Sequence, residues 1–304
     1  MEERGPPAPN RLPPLLQALG RNFSGDRQLN RTPSACRINL ESGRKREKPE
    51  IKLIDSSDAH TDKQSLAGRR ALITGGTTGI GRAIAVLLAS EGVDVFICGR
   101  TPEHLGDALE RIGEVGKGDG VTLDLAEPAG VNRFFAAGQA YFGEANIVIA
   151  NAAVPARGLA EMDEEELRYA IAADFTAYLL TAHAAQKLLG DKGDIVLIGS
   201  MSAHILGPGS TVYAGMKAGI AGFAEALRKE ISPRGIKVSL VEPGKTGADF
   251  QYPDIPADKQ REMIHEETML RAQDIAVGVH YLLTQPRRAV VQQLTIVPRA
   301  QAAE

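Results

Sequence analysis

The sequence predicts an α/β protein: a doubly wound parallel sheet with helices on both faces, forming a single domain behind an N-terminal extension. Three observations carry this prediction. From Leu66 onward, short apolar runs alternate with longer stretches whose apolar residues recur at helical spacing. The apolar runs are continuous, as strands covered on both faces must be. A glycine cluster separates the first run from the first helical stretch, the arrangement of a strand-turn-helix unit in a parallel sheet.

The elements follow in order. Arg70 to Thr74 reads as the first strand and Ile80 to Ser90 as the first helix; Val93 to Cys98 is the second strand. Pro102 opens a second helix at a position where its missing N–H costs little. A strand near Gly120 to Leu123, a helix near Pro128 to Tyr141 and a strand over Asn146 to Ala150 come next. One long helix is predicted from about Asp163 to Leu189. Its start is marked by Asp163 ahead of Glu164, Glu165 and Glu166, an N-cap with an acidic first turn. On that helix Tyr178, Leu179, Leu180, Leu188 and Leu189 could face the sheet or a partner subunit, which periodicity does not separate. A strand from Asp194 to Ile198, a helix from Val212 to Glu230 and a strand from Ile236 to Val241 complete the pattern.

Composition bounds the function. With 304 residues, 43% hydrophobic and 24% charged, the chain has ample material for a core. No run approaches the roughly 20 apolar residues of a membrane span, and the first 30 residues lack the apolar core of a secretory signal. The expectation is a soluble, cytoplasmic protein with no membrane partner. A net charge of −3 argues against a nucleic-acid partner. Cys36 and Cys98 lack the number and spacing of a disulfide framework or metal site, and His183, His204, His265 and His280 are scattered without ligand spacing.

The average charge hides two unlike pieces. Residues 1–65 carry 7 of the 17 prolines and 12 Lys and Arg against 9 Asp and Glu, leaving 23 against 29 for the remainder. Only 17 of those 65 residues are hydrophobic, too few to offset the entropy of ordering, so residues 1–65 are expected to be a disordered extension and residues 66–304 the domain. Six arginines between Arg4 and Arg37 with Asp26 as the lone acid resemble a transit peptide, but the hydroxyl-rich amphipathic pattern is poor.

The first chemical signal is Thr74-Gly75-Gly76-Thr77-Thr78-Gly79-Ile80-Gly81, between a strand and a helix. Backbone N–H groups and the positive helix end there can hold a pyrophosphate. Gly75 suits a tight turn, Gly79 close approach and Gly81 helix packing. The end of the second strand then selects the dinucleotide. An acid there would bond the ribose hydroxyls of NAD, whereas this chain reads Cys98-Gly99-Arg100-Thr101, with an arginine able to clamp a 2′-phosphate. NADP(H) is favoured over NAD(H).

The second signal is Tyr213-Ala-Gly-Met-Lys217, which puts phenol and ammonium on one helix face. A free phenol is only about 0.1% ionised at pH 7, and nearby positive charge would bring it toward the range of general acid–base catalysis. Ser200 ends a strand 13 residues earlier, at the sheet edge where ligands bind.

The glycine turn, Ala150-Asn151-Ala152-Ala153, Ser200, Tyr213-x-x-x-Lys217 and Pro243-Gly244 stand in the order and spacing of the short-chain dehydrogenase/reductase family, which the chain resembles from about residue 66 to 298. The resemblance implies a Rossmann-type single domain, usually a homodimer or homotetramer, that transfers hydride between a nicotinamide and a small-molecule carbonyl or alcohol. It further implies that Tyr213 exchanges a proton with the substrate oxygen, that Ser200 orients that oxygen, and that Lys217 holds the nicotinamide ribose and lowers the tyrosine pKa. Asp124 and Leu125 resemble the adenine-contacting pair, and Asn151 and Ala152 the backbone beside the cofactor. The text from Leu270 to Ala276 and from Tyr281 to Pro286 resembles the NADP-preferring branch.

The departures are specific. The usual Asn-Asn-Ala-Gly is Ala150-Asn151-Ala152-Ala153, and Asp174 stands where the family has a catalytic asparagine. An ionised Asp174 near Lys217 would hold the ammonium charged and compete with the phenolate for it. Ala248 replaces the threonine that follows the Pro-Gly turn, with Thr246 close enough to supply a hydroxyl. These changes motivate the alternative of a dinucleotide-binding sensor or scaffold whose catalysis has decayed.

Overall fold

The computed structural model describes residues 63–190, 192–247 and 255–300. The chain divides into Met1–Ser57 and Asp58–Glu304, and every described residue lies in the second unit. The expected disorder of residues 1–65 falls outside the described residues except at 63–65, where Gln64 already donates its backbone N–H to Thr284 O.

Seven parallel strands make the sheet, in the order β3-β2-β1-β4-β5-β6-β9. They are β1 (Arg70–Ile73), β2 (Asp94–Gly99), β3 (Lys117–Thr122), β4 (Ile147–Ala150), β5 (Asp194–Ile198), β6 (Lys237–Pro243) and β9 (Gln293–Ile296). The central strands β4, β5 and β6 are buried at every residue; 147–150 and 195–198 accordingly read as unbroken apolar runs, whereas β6 also buries Lys237, Ser239 and Glu242. One face carries α1 (Gly79–Ser90), α2 (Pro102–Gly113) and α8 (Ala272–Leu283), whose Ile84, Leu88, Ile112, Ile275 and Val279 close a core over Ile73, Ile97 and Ile149. On the other face α3 (Gly130–Phe142), α5 (Ala177–Leu188) and α6 (Thr211–Ile231) cover Leu72, Val148 and Ile195 with Phe134, Ala182 and Ile220. The fold is the Rossmann-type doubly wound sheet expected from the sequence.

Three local features depart from the element reading. β3 begins at Lys117, earlier than expected, because Lys117-Gly-Asp-Gly-Val-Thr is an edge strand of mixed polarity rather than an apolar run. The long helix from Asp163 to Leu189 is α4 (Glu164–Ile171) and α5 joined by a π-helical turn over Ala172–Thr176. Such a turn inserts one extra residue, and here it buries Asp174 completely. Asp163 does cap α4: its Oδ1 accepts from Glu166 N at 2.8 Å. Thirdly, α7 (Ala257–His265), α8, the short pair β7 (Thr246–Gly247) and β8 (Leu270–Arg271), and the last strand β9 had no counterpart in the element pattern. β9 alternates exposed and half-buried residues at the sheet edge, a weaker signal than a central strand.

Candidate active site

The site occupies a cavity of about 290 Å³ at the carboxyl ends of the strands. Its floor is the turn between β1 and α1. Gly75 (φ +63°) and Gly79 (φ +52°) take left-handed backbone that side chains disfavour. At Gly81 a Cβ would stand 2.1 Å from Gly75 O and 2.5 Å from Asn151 Nδ2, so the helix seats on the turn only with glycine there. Thr74 and Asn151 lock the turn to the end of β4. Thr74 Oγ1 accepts from Asn151 N (2.9 Å) and Ala152 N (3.2 Å), while Asn151 Nδ2 donates to the carbonyls of Thr74 and Gly75, each at 3.1 Å. Thr78, the residue capping α1, makes no side-chain cap bond, leaving the helix end facing the cavity as an anion site of backbone N–H groups. A backbone cradle that a Cβ would fill fits a pyrophosphate.

The second wall lies past β2. A Cβ at Gly99 would meet Thr77 Oγ1 at 2.2 Å. The acid missing from this position is therefore also sterically barred by Thr77. Arg100, one residue on and exposed, donates from Nη1 to Tyr169 Oη at 2.5 Å, and Tyr169 Oη donates to Asp124 Oδ2 at 2.7 Å. Asp124 Oδ1 accepts from Ala126 N at 2.8 Å.

Deeper in, β5 delivers Ser200, which is buried and whose Oγ accepts from Ser202 N at 3.1 Å. α6 places Tyr213 and Lys217 one turn apart, with the Lys217 Nζ 5.5 Å from the Tyr213 ring centroid. Lys217 is buried; its Nζ donates to Ile198 O at 3.2 Å and to Tyr178 Oη at 3.4 Å, and Tyr178 Oη donates to Ile198 O at 2.9 Å. Burial lowers the Lys217 pKa to about 8, partly opposed by the Asp174 carboxylate. Asp174 is raised to about 6 by burial, partly opposed by Lys217. Its Oδ1 accepts from Val154 N at 2.6 Å, and its Oδ2 is buried without a hydrogen-bond partner among the described residues.

A family model described as short chain dehydrogenase matches residues 69–258. The chain belongs to the short-chain dehydrogenase/reductase family. An uncharacterized oxidoreductase of Staphylococcus aureus (strain USA300) is 29% identical over 239 residues, 77% of this chain and 98% of its own length. The 3-oxoacyl-acyl-carrier-protein reductase FabG of Escherichia coli (strain K12) is 35% identical over 223 residues, 71% of this chain and 89% of its own. Among solved structures, a Burkholderia cenocepacia short chain dehydrogenase in complex with NADP is 30% identical with a TM-score of 0.70, covering 77% of this chain and 98% of that one. This chain is thus an NAD(P)-dependent dehydrogenase/reductase of that family.

Within this short-chain dehydrogenase/reductase, the residues singled out by sequence fall into three groups. Gly75, Thr77, Thr78 and Ile80 line the cavity floor; Arg100, Asp124 and Leu125 line one end, and Asn151, Ala152, Ser200, Tyr213, Lys217 and Pro243 the other walls. Gly79, Gly81 and Gly244 shape the backbone behind the lining. Asp174 and Thr246 are both fully buried and off the lining. The Thr246 hydroxyl is committed to Gly244 O at 3.0 Å, so it braces the Pro-Gly turn instead of facing the cavity. Two tyrosines on the long helical segment were not foreseen in the site. Tyr178 is a core residue bonded to Lys217 and not an interface candidate, and Tyr169 ties Arg100 to Asp124. The inward placement of Asp174 and Tyr178 depends on the π turn, which resets the helical phase and leaves no mark in apolar spacing. Among the described residues no cluster able to hold a metal is present, and no helix is long and apolar enough to cross a membrane.

Proposed function

We propose that the chain is an NADP(H)-dependent oxidoreductase that interconverts a carbonyl and a primary or secondary alcohol of a small molecule. The observation that carries this reading is the buried Lys217 ammonium held beside the Tyr213 ring, in the same cavity as the glycine cradle and Arg100. The bound dinucleotide supplies a hydride to the carbonyl carbon, or takes one from the alcohol carbon. Tyr213 gives its phenolic proton to the carbonyl oxygen in reduction and removes the alcohol proton in oxidation. Ser200 donates its hydroxyl proton to the same oxygen and so fixes its direction. Lys217, positive and poorly solvated, favours the phenolate left on Tyr213 and offers N–H donors to the nicotinamide ribose.

The glycine turn with Thr77, Thr78 and Ile80 would hold the pyrophosphate, and Arg100 the 2′-phosphate. Asp124 and Leu125 would meet the adenine, with Asn151, Ala152, Pro243 and Gly244 walling the nicotinamide end. Asp174 is a positioning residue: through Val154 N it fixes the segment after Ala152. We further take residues 66–304 as the functional domain and a homodimer or homotetramer in the cytoplasm as the working assembly.

The test mixes the enzyme with NADPH or NADH and a panel of small aldehydes, ketones and hydroxy acids, following nicotinamide absorbance. NADPH-preferring turnover supports the proposal. Cofactor-dependent thermal stabilisation with no turnover on the panel would favour a decayed sensor, and a clear NADH preference would overturn the role given to Arg100.

A further inference from the structure

Tyr169 sits on α4 in no recognisable motif, yet its phenol stands between the two polar groups assigned above to the adenosine half of the cofactor. It receives a hydrogen bond from Arg100 Nη1 (2.5 Å) and gives one to Asp124 Oδ2 (2.7 Å). The Arg100 guanidinium carbon also lies 5.9 Å from the Tyr169 ring centroid, within cation–π range. Asp124 is thereby held at both oxygens, the second by Ala126 N. Burial and the Asp124 carboxylate raise the Tyr169 pKa against the opposing influence of Arg100, so the phenol keeps its proton and remains the donor.

The consequence is one of spacing. Arg100 and Asp124 carry opposite charges and are separated by a single hydroxyl group. A guanidinium on a flexible stem would otherwise close onto the carboxylate in a bidentate pair, the geometry both groups favour. Its fork of donors would then be spent on Asp124. A second carboxylate that shares a cavity with Arg100 does not compete in this way. Glu166, which with Arg100 and Tyr169 lines an adjoining cavity of about 250 Å³, receives hydrogen bonds at both oxygens from Arg157 Nη2, each at 3.2 Å.

We propose that Tyr169 is a specificity-determining residue for the cofactor: its hydroxyl keeps Arg100 off Asp124, leaving the guanidinium open to a 2′-phosphate and the carboxylate fixed for the adenine. The inference rests on the NADP(H) reading and deepens it. Removing the hydroxyl should cost affinity for nucleotides that carry the 2′-phosphate and spare those that lack it. Removing the competing carboxylate as well should return what was lost.

The experiment titrates the full-length chain with 2′,5′-ADP and with 5′-AMP by isothermal calorimetry, for the wild type, Tyr169→Phe, and Tyr169→Phe combined with Asp124→Asn. Phe preserves the ring, so the packing of α4 is kept. The expected result is about tenfold weaker 2′,5′-ADP binding in Tyr169→Phe, from loss of charge-assisted contacts, with 5′-AMP changed less than about twofold. The double variant should recover most of the preference for 2′,5′-ADP. An unchanged preference in Tyr169→Phe, equal weakening of both nucleotides, tighter 2′,5′-ADP binding, or no recovery in the double variant overturns the role of Tyr169 alone. A wild type that binds 5′-AMP as tightly as 2′,5′-ADP, or that binds neither, overturns the NADP(H) reading and the inference with it.

Discussion

The two ends of the cavity hold their charges in opposite ways. At the buried end, Lys217 and Asp174 are both almost completely removed from water and are supported by rigid elements, α6 and the π turn. At the exposed end, Arg100 stands on the loop after β2 and reaches Asp124 through one phenolic hydroxyl. In the buried end electrostatics shifts protonation, because desolvation is strong and each charge is felt at close range. In the exposed end electrostatics sorts ligands, because solvent screens the charges and only direct contact counts. On the proposed function, that difference separates chemistry from selection within one cavity, and each substitution tests the separation.

The largest effect is expected from Tyr213→Phe, which keeps the ring and removes the proton. Turnover should fall about a thousandfold, within the range that positioned acid–base groups supply, while dinucleotide affinity changes less than about threefold. Steady-state kinetics beside a binding titration checks both numbers. Retained turnover would break the assignment of chemistry to the buried end.

Much of this comparison was legible in the sequence, unequally. The buried end announced itself because Ser200, Tyr213 and Lys217 are fixed by spacing on elements of predictable phase, a strand end and a helix face. Strands β4 and β5 were readable for a related reason: burial on both sides forces near-continuous apolar runs. Tyr178 and Asp174 were harder, because the π turn shifts the helix phase by a residue without any change of composition. At the exposed end, Arg100 was found from its place after β2, but nothing in the text around Tyr169 says that α4 brings it to Asp124, a residue 45 positions away. The steric bar between Gly99 and Thr77 was equally invisible, since it arises where the Thr77 side chain meets the end of β2 in space.

Asp174→Asn sharpens the contrast by removing charge from the buried end without changing shape. Asparagine can still accept the Val154 N–H, and it adds N–H donors where Oδ2 now has no partner. The wild-type carboxyl is raised from 3.8 to about 6 in the fold. A raised folded pKa means that its contribution to stability is fully present below pH 3.8 and is lost as pH rises through 6. The variant should therefore be more stable than the wild type at pH 8, by about 2 kcal/mol, with the gain shrinking toward pH 4. Thermal melts across that range test the sign. Because the carboxylate is what raises the Lys217 pKa against burial, the same variant should also move the ammonium's titration below about 8, read as a downward shift of one limb of the pH–rate profile. A variant less stable at pH 8 would mean that the carboxylate's attraction to Lys217 outweighs its desolvation, and the buried end would then be held together by the charge pair.

The smallest effect is expected from Arg100→Ala, and its selectivity matters more than its size. Arg100 is exposed, so the loss of its contacts with a 2′-phosphate should weaken NADPH binding about tenfold, the low side of what hydrogen bonds to charged groups contribute. NADH lacks that phosphate and should bind within about twofold of the wild type. Turnover at saturating NADPH should also be preserved, because the guanidinium is bonded to Tyr169 and takes no part in proton movement. Raising the salt concentration should narrow the gap between wild type and variant for NADPH and leave NADH unaffected, since only the former difference is an interaction between exposed charges. A fall in saturated turnover would show that the exposed end reaches the chemistry after all. The Arg100-Tyr169-Asp124 chain would then be coupled to Tyr213 and Lys217, through Asp174, whose pKa Arg100 already lowers slightly.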